Sequence, residues 1–424
     1  MKQIFLYIFI LISIAIKAQG YNYNCATEID TTEVRNNCER YKANNWDDKL
    51  LLMENFIPIN DTFPIVTIKF NVHIWREDNG TGNRWLDTEE YRDSLRIMFN
   101  YANYIASHNK QYTNYISNAL FIHDTKIRYE LDSVYYYNNS DLAHTKNNYR
   151  LNQYIKNNHP ERLNNFAFHF NLYRDNYASG VSSGINSDIQ SFIFLNCYSG
   201  HYTGLWADAL LMTHEIGHNF GLNHTYNTEI TDITHHEYLW DLFGHNQQSW
   251  CNNDNPNKVC YHDAGWDCVI DSTTTCTNNI MGGNKNAGHF TALQCGRIHR
   301  ALRIANIRNH AYAYTEIPHV INEDENWDFN YKSYQDIIIN PNVTLTISCQ
   351  LEMVSQARII IKPGGRLVID GGTITKALHE GQWQGIEVWG VDTLHQFIVD
   401  GRYQQGYLEL KNGATIENAI CAVE

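Results

Sequence analysis

The run His214-Glu215-Ile216-Gly217-His218-Asn219-Phe220-Gly221-Leu222-Asn223-His224 constrains this chain more than any other feature. His214 and His218 are four residues apart, so on a helix their imidazoles leave the same face. Glu215 comes one residue after the first histidine, close to that point without being part of it. Gly221 permits a backbone conformation closed to residues that carry a Cβ. The chain can then turn back and deliver His224 to the same place. Three neutral imidazoles form an open zinc site, in which the protein fills three positions and leaves the fourth for water. Residues 207–220 read as the helix that carries the motif, with Gly221 as its stop.

The segments ahead of the motif supply a frame. Residues 65–74 alternate apolar and polar side chains, as a half-buried strand does. Residues 91–108 place Leu95, Met98, Phe99, Ala102 and Ile105 at spacings of three and four, which predicts an amphipathic helix. Residues 165–172 and 189–197 read as further strands. Residues 293–307 read as a second long helix, with Ile298, Leu302 and Ile304 on its apolar side. This order predicts an α+β domain with a twisted sheet, an active-site helix and a C-terminal helix. A strand near residues 191–196, just ahead of the motif helix, is expected at the sheet edge, where an extended peptide could pair with it.

After Tyr314 the character changes. Ile337-Ile338-Ile339 with the strand-like run to Ile347 is followed, 22 residues on, by Ile359-Ile360-Ile361 and the run to Ile369. Residues 408–416 are a weaker copy. Strand, Pro or Gly turn, then strand is the pattern of coils that bury their faces only against one another. Residues 315–424 are therefore expected to form an all-β domain, a parallel β-helix or solenoid. A small β-sandwich is the rival reading. No polar cap follows the last coil, so the fold is expected to continue beyond Glu424.

Export is the expected compartment. A basic start at Lys2, an apolar run from Ile4 to Ile16 and small residues before Gln19 read as a signal peptide over residues 1–18, too short to span a bilayer. No later stretch is long and apolar enough to do so. The net charge of −14 offers no basic footprint for nucleic acid. All ten cysteines follow the signal, and in an exported chain they read first as disulfides. Cys251, Cys260, Cys268 and Cys276 lie in a polar stretch with no C-x-x-C pair, which argues against a zinc knuckle. Several of these and Cys295 are expected to be oxidised, tying that loop to the last helix; five is an odd count, so one of them is expected to pair elsewhere, as with Cys197, or to stay free. Residues 19–63 form an N-terminal segment or propeptide, with a helix-like stretch at 46–55. There Cys25 and Cys38 would either close a local disulfide or supply a thiolate to the open zinc position. Residues 64–314 are assigned to the catalytic domain.

The extended motif H-E-x-x-H-x-x-G-x-x-H resembles that of the metzincin zinc proteases. A methionine turn beneath the metal belongs to that resemblance, and Asn279-Ile280-Met281-Gly282 is its candidate here, with Met281 under the site. Within the metzincins the chain looks like the secreted pappalysin family, its cytophagalysin-like members included. The carriers are His224-Thr225, the cysteine-rich insert, the Asn-x-Met turn and the segment from Phe290 to Ile298. The likeness spans residues 66–312 and implies a secreted zinc endopeptidase with protein or peptide substrates. His214, His218 and His224 would be the ligands of one catalytic zinc and Glu215 the general base. Gly282-Gly283 stand where relatives carry Asp-Tyr, so no tyrosine can serve substrate there. Calcium, which the family binds, has no motif here, and Asp241, Asp267 and Asp271 read as solvated loop residues. The competing readings are a surface adhesin whose solenoid binds glycan or protein beside a vestigial zinc domain, and a zinc hydrolase of non-peptide amides.

Overall fold

A computed structural model describes residues 38–39, 49–59, 63–111, 119–174, 178–184, 189–200, 204–225, 234–243, 278–282, 287–399 and 401–424. The signal-like segment, Cys25 and the cysteines from 251 to 276 lie outside them. Among the described residues no helix is long and apolar enough to cross a membrane.

The first half is built on one sheet. Strand β1 (Val66–Arg76) lies between β2 (Ile127–Asn138) and β3 (Phe166–Phe170), both parallel to it. β3 pairs in parallel with β5 (Ser191–Phe194), and β4 (Gly180–Ser182) closes the row antiparallel to β5. The strand predicted at the edge is therefore interior, and among the described residues the three-residue β4 is the edge. Helix α1 (Glu89–Ser107) lays Leu95, Met98, Phe99, Ala102 and Ile105 into the core, the set its sequence spacing picks out. A second helix, α2 (Asn148–Asn158), follows β2 and is N-capped by the Asn147 side chain, which accepts from Arg150 N–H. The core between sheet and helices is densely aromatic: Phe70, Phe166, Phe168, Phe170, Phe192 and Phe194 are all buried, with neighbouring rings 4.3–6.2 Å apart. Helices α3 (Leu205–Asn219) and α4 (Ala292–Ile304) complete this half.

The second half winds through three parallel sheets. The first coil is β7 (Thr315–Ile321), β8 (Glu325–Trp327) and β9 (Tyr331–Ser333), entered through the short β6 (Ala311–Tyr312) that pairs with β1. Next come β10 (Gln335–Ile339), β11 (Thr344–Ile347) and β12 (Gln350–Met353), then β13 (Arg358–Ile361), β14 (Arg366–Asp370) and β15 (Thr373–Lys376). β16 (Trp383–Val388), β17 (Tyr407–Lys411) and β18 (Thr415–Ile416) form a fourth coil, and β19 (Ala419–Val423) starts a fifth. Leu345, Leu367 and Leu408 stack in register, as do Ile339, Ile361 and Val388. These parallel sheets are consistent with a β-helix.

The halves share one continuous apolar core. Charged groups are buried where they meet. Lys332 Nζ donates to Ala311 O at 2.7 Å and sits 3.5 Å from Glu380, while Arg308 pairs with Glu352 at 3.1 Å. The N-terminal segment is part of this joint. Residues 49–57 pack on α4 so closely that a side chain at Gly296 would collide with the Met53 carbonyl, and Arg300 donates to Leu51 O at 2.8 Å.

Two cysteine expectations are overturned. Cys38 is bonded to Cys349, in the turn before β12, across 311 residues of sequence. It therefore neither closes a local loop with Cys25 nor offers a thiolate to the histidines. Cys295 is a free, buried thiol on α4, so it does not tie the cysteine-rich loop to that helix. Burial, the largest influence on it, pushes its pKa up.

Candidate metal centre

Helix α3 carries His214, Glu215 and His218, all buried. Its start is anchored by an ion pair of Asp208, in the first turn, with Arg84 at 2.7 Å, both shielded from solvent. Its end shows why the glycine is needed. Gly221 adopts φ +90°, its N–H donates to His218 O at 2.9 Å, and Leu222 N–H donates to Gly217 O at 3.0 Å. This is a complete Schellman termination, in which a left-handed residue satisfies the last carbonyls and reverses the chain. Three residues later His224 stands opposite the helix.

The Nε2 atoms of His214 and His218 each lie 3.2 Å from Nε2 of His224, and ligand atoms of the three rings fall within 4.8 Å of one another. The opposite edges of two rings settle their tautomers. His214 Nδ1 donates to Ile280 O and His218 Nδ1 donates to Leu222 O, both at 2.8 Å. A carbonyl can only accept, so Nδ1 carries the proton and each Nε2 lone pair points inward. Burial lowers the pKa of all three, to about 4 for His214 and about 3 for His224. Neutral imidazoles converging through lone pairs fit a cation of the zinc kind.

The glutamate and methionine are seated by two glycines. A Cβ at Gly180, on the edge strand, would lie 2.7 Å from Cδ and 2.8 Å from Cγ of Glu215. A Cβ at Gly217 would lie 2.6 Å from Sδ of Met281. Met281 is fully buried under the helix, within the short turn Ile280–Gly282. Asn279 shapes that turn: its Oδ1 accepts from Met281 N–H at 3.0 Å, and its Nδ2 donates to Gln294 Oε1 at 2.7 Å. Gln294 also closes a capping box with Thr291 at the start of α4. Thus α4 holds the turn, and the turn holds His214.

Several residues here carry no mark that sequence reasoning used. Asn219 donates to Ser182 Oγ at 2.6 Å and to Glu215 O at 3.1 Å, joining the motif helix to the edge strand. Asp241, expected in solvent, is buried. It accepts from Leu293 N–H at 2.8 Å, and burial raises its pKa to about 6. Asp267 and Asp271 lie outside the described residues, so no calcium site can be drawn there.

Comparison with known proteins adds one family match. The Reprolysin-like family of M12B metallo-peptidases matches residues 100–225, from within α1 to the residue after His224. The chain carries a metallopeptidase domain. It matches none of the curated proteins with which it was compared. Among solved structures, one titled "Structure of a chaperone-substrate complex" aligns at 16% identity with TM-score 0.26, covering 39% of this chain and 25% of its own. Metalloproteinase-II from Bacteroides fragilis aligns at 11% identity with TM-score 0.22, covering 45% of this chain and 54% of its own. The chain thus spans between a quarter and about half the length of these structures, and neither likeness is close enough to add to the fold.

Proposed function

We propose that the protein is a secreted zinc endopeptidase in which His214, His218 and His224 hold the metal and Glu215 is the general base. The observation that carries this reading is the convergence of the three Nε2 atoms, with the lone pairs of His214 and His218 pointing inward, beside the buried Glu215 carboxylate. A zinc ion bound there would bring the pKa of its water towards neutrality and polarise the scissile carbonyl. Glu215 takes the proton of the attacking water and returns it to the leaving amine. Among the described residues no strand pairs with β4 on the side away from β5, and a substrate strand would add to the sheet there. Asn219 keeps that strand in step with the helix that carries the base. Met281 and the α4 capping box fix the floor.

Pappalysin-like membership has its support in His224-Thr225, the Asn279–Met281 turn and the segment opening α4. The coils after residue 314 are read as a solenoid domain, and export rests on the signal-like first 18 residues. A retained carboxylate beside the ligands favours catalysis over an adhesin with a vestigial site, because a purely structural metal needs no such neighbour. Digestion of casein or gelatin by the purified protein, with and without a chelator, tests the proposal. Cleavage that stops on chelation and returns with zinc is expected, and no cleavage at all by zinc-loaded protein would contradict it.

A further inference from the structure

A cavity of about 690 Å³ lies at the joint between the N-terminal segment, the end of α4 and the first coil. Its walls include Phe56, Phe63, Trp327 and Tyr331, and its polar centre is Arg303. This arginine is only 5% exposed. Its guanidinium lies over the rings of Phe63 and Tyr334, 5.2 and 5.0 Å from their centroids. One nitrogen donates a long bond of 3.4 Å to His299 O, and the Tyr331 hydroxyl also meets the group.

Every neighbouring buried cation has a carboxylate. Arg297 and Arg300 share Glu237, at 3.1 and 2.6 Å, Arg308 takes Glu352, and Lys332 takes Glu380. Among the described residues Arg303 has none within 4.0 Å. A buried charge without a counter-charge is unfavourable, so the arrangement is completed by an anion that enters the cavity. The guanidinium sits over the rings of Phe56, Phe63 and Tyr334. Its N–H edge is the part suited to a planar, forked acceptor.

The surroundings restrict that anion. Glu323 and Glu325 also line the cavity, and His319 is held neutral near pH 7 because burial lowers its pKa to about 4. Lys49, also in the wall, is already paired with Glu323 at 3.2 Å; a doubly charged phosphate would face Arg303 against the remaining Glu325, whereas a single carboxylate needs only the one fork. We propose that this cavity binds a monocarboxylate with an apolar body, of the kind presented by a peptide C-terminus ending in an aromatic or large aliphatic residue. The carboxylate sits on Arg303 and the apolar group against Phe56, Phe63 and Trp327. Arg303 is nine residues along α4 from Gln294, about 13 Å at the helical rise, so the site is separate from the methionine turn.

The test is calorimetric titration of the full chain with N-acetyl-L-phenylalanine and with its amide, on both chelator-treated and zinc-loaded protein. The acid should bind at least about ten-fold more tightly than the amide, the size expected of one charge-assisted pair. It should do so with and without zinc, which keeps the result independent of the proposed protease site. Arg303→Met should abolish the preference for the acid. Should that variant fold poorly, Ile317→Asp, at the exposed cavity mouth, is the second test: it should weaken the acid and leave the amide unchanged. Titration with 3-phenylpropionate separates the sources: binding as tight as that of the acetylated amino acid points to a free aryl acid, and weaker binding to a chain end. Equal affinity for acid and amide, binding of the acid only when zinc is present, or no binding of either carboxylate would overturn the proposal.

Discussion

Replacing Gly180 with alanine probes the seat of Glu215, the proposed general base, without touching a proposed metal ligand. Gly180 is not among the glycines with positive φ, so its backbone accepts alanine and the effect is purely steric. The new methyl group would stand 2.7 Å from Glu215 Cδ. Ordinary carbon contacts begin near 3.5 Å, so the carboxylate or the strand must give by about 1 Å. A misplacement of that size costs on the order of 100-fold in rate when the displaced group takes part in the chemistry. Overpacking a close-fitted core costs about 1–3 kcal/mol in stability, a fall of several degrees in melting temperature. The three histidines are untouched, so the metal content should equal that of the parent, one per chain on the proposed reading. Steady-state cleavage of a fluorogenic peptide, metal analysis and a thermal melt on the same preparation read these separately. A Gly180→Ala variant with kcat/KM within two-fold of the parent would refute the idea that this contact seats Glu215.

Cys38→Ser removes the bond to Cys349 and should lower stability by about 2–4 kcal/mol, read by denaturant melts; it should not activate unprocessed protein, as it would if Cys38 acted as a latency thiolate. Asn219→Ala breaks the link between motif helix and edge strand and leaves polar groups unpaired, costing about 1–3 kcal/mol; KM for an extended peptide should rise more than for a minimal one. Asp241 has a folded-state pKa raised to about 6. The folded state therefore holds this proton more tightly than the unfolded chain, so the contribution is full below about pH 4 and lost as pH rises towards 6. Melts of Asp241→Asn across that window should show a flatter dependence than the parent, and an unchanged slope would contradict the assignment.

The parts of this molecule that were legible in its sequence are those with local causes. The motif helix, its glycine stop and the strands of the coils each repeat a short rule of spacing or turn chemistry. Helix α1 showed its buried face through residues three and four apart. Strand β2 did not, because its tyrosine-rich run is mostly half-exposed and carries little alternation. The edge strand was misplaced for a related reason: Gly180-Val181-Ser182 is too short to leave a pattern, and only the pairing with β5 reveals it. The capping box of Thr291 and Gln294 was readable by its spacing, but its hold on the methionine turn is a contact across 15 residues. Cys38 and Cys349 could not be matched because connectivity depends on the fold that brings them together. Asp241 looked like a loop acid in solvent, and only its burial against the start of α4 gives it a role.

The central claim is that the three histidines hold a metal and that Glu215 does the proton work beside it. Peptide cleavage and zinc content, measured together on Glu215→Gln and His218→Ala, address both halves. The account predicts that Glu215→Gln keeps about one zinc per chain with cleavage lost by several orders of magnitude, and that His218→Ala loses both metal and activity. A Glu215→Gln protein that still cleaves at the parent rate, or a His218→Ala protein that retains metal and activity, would contradict it.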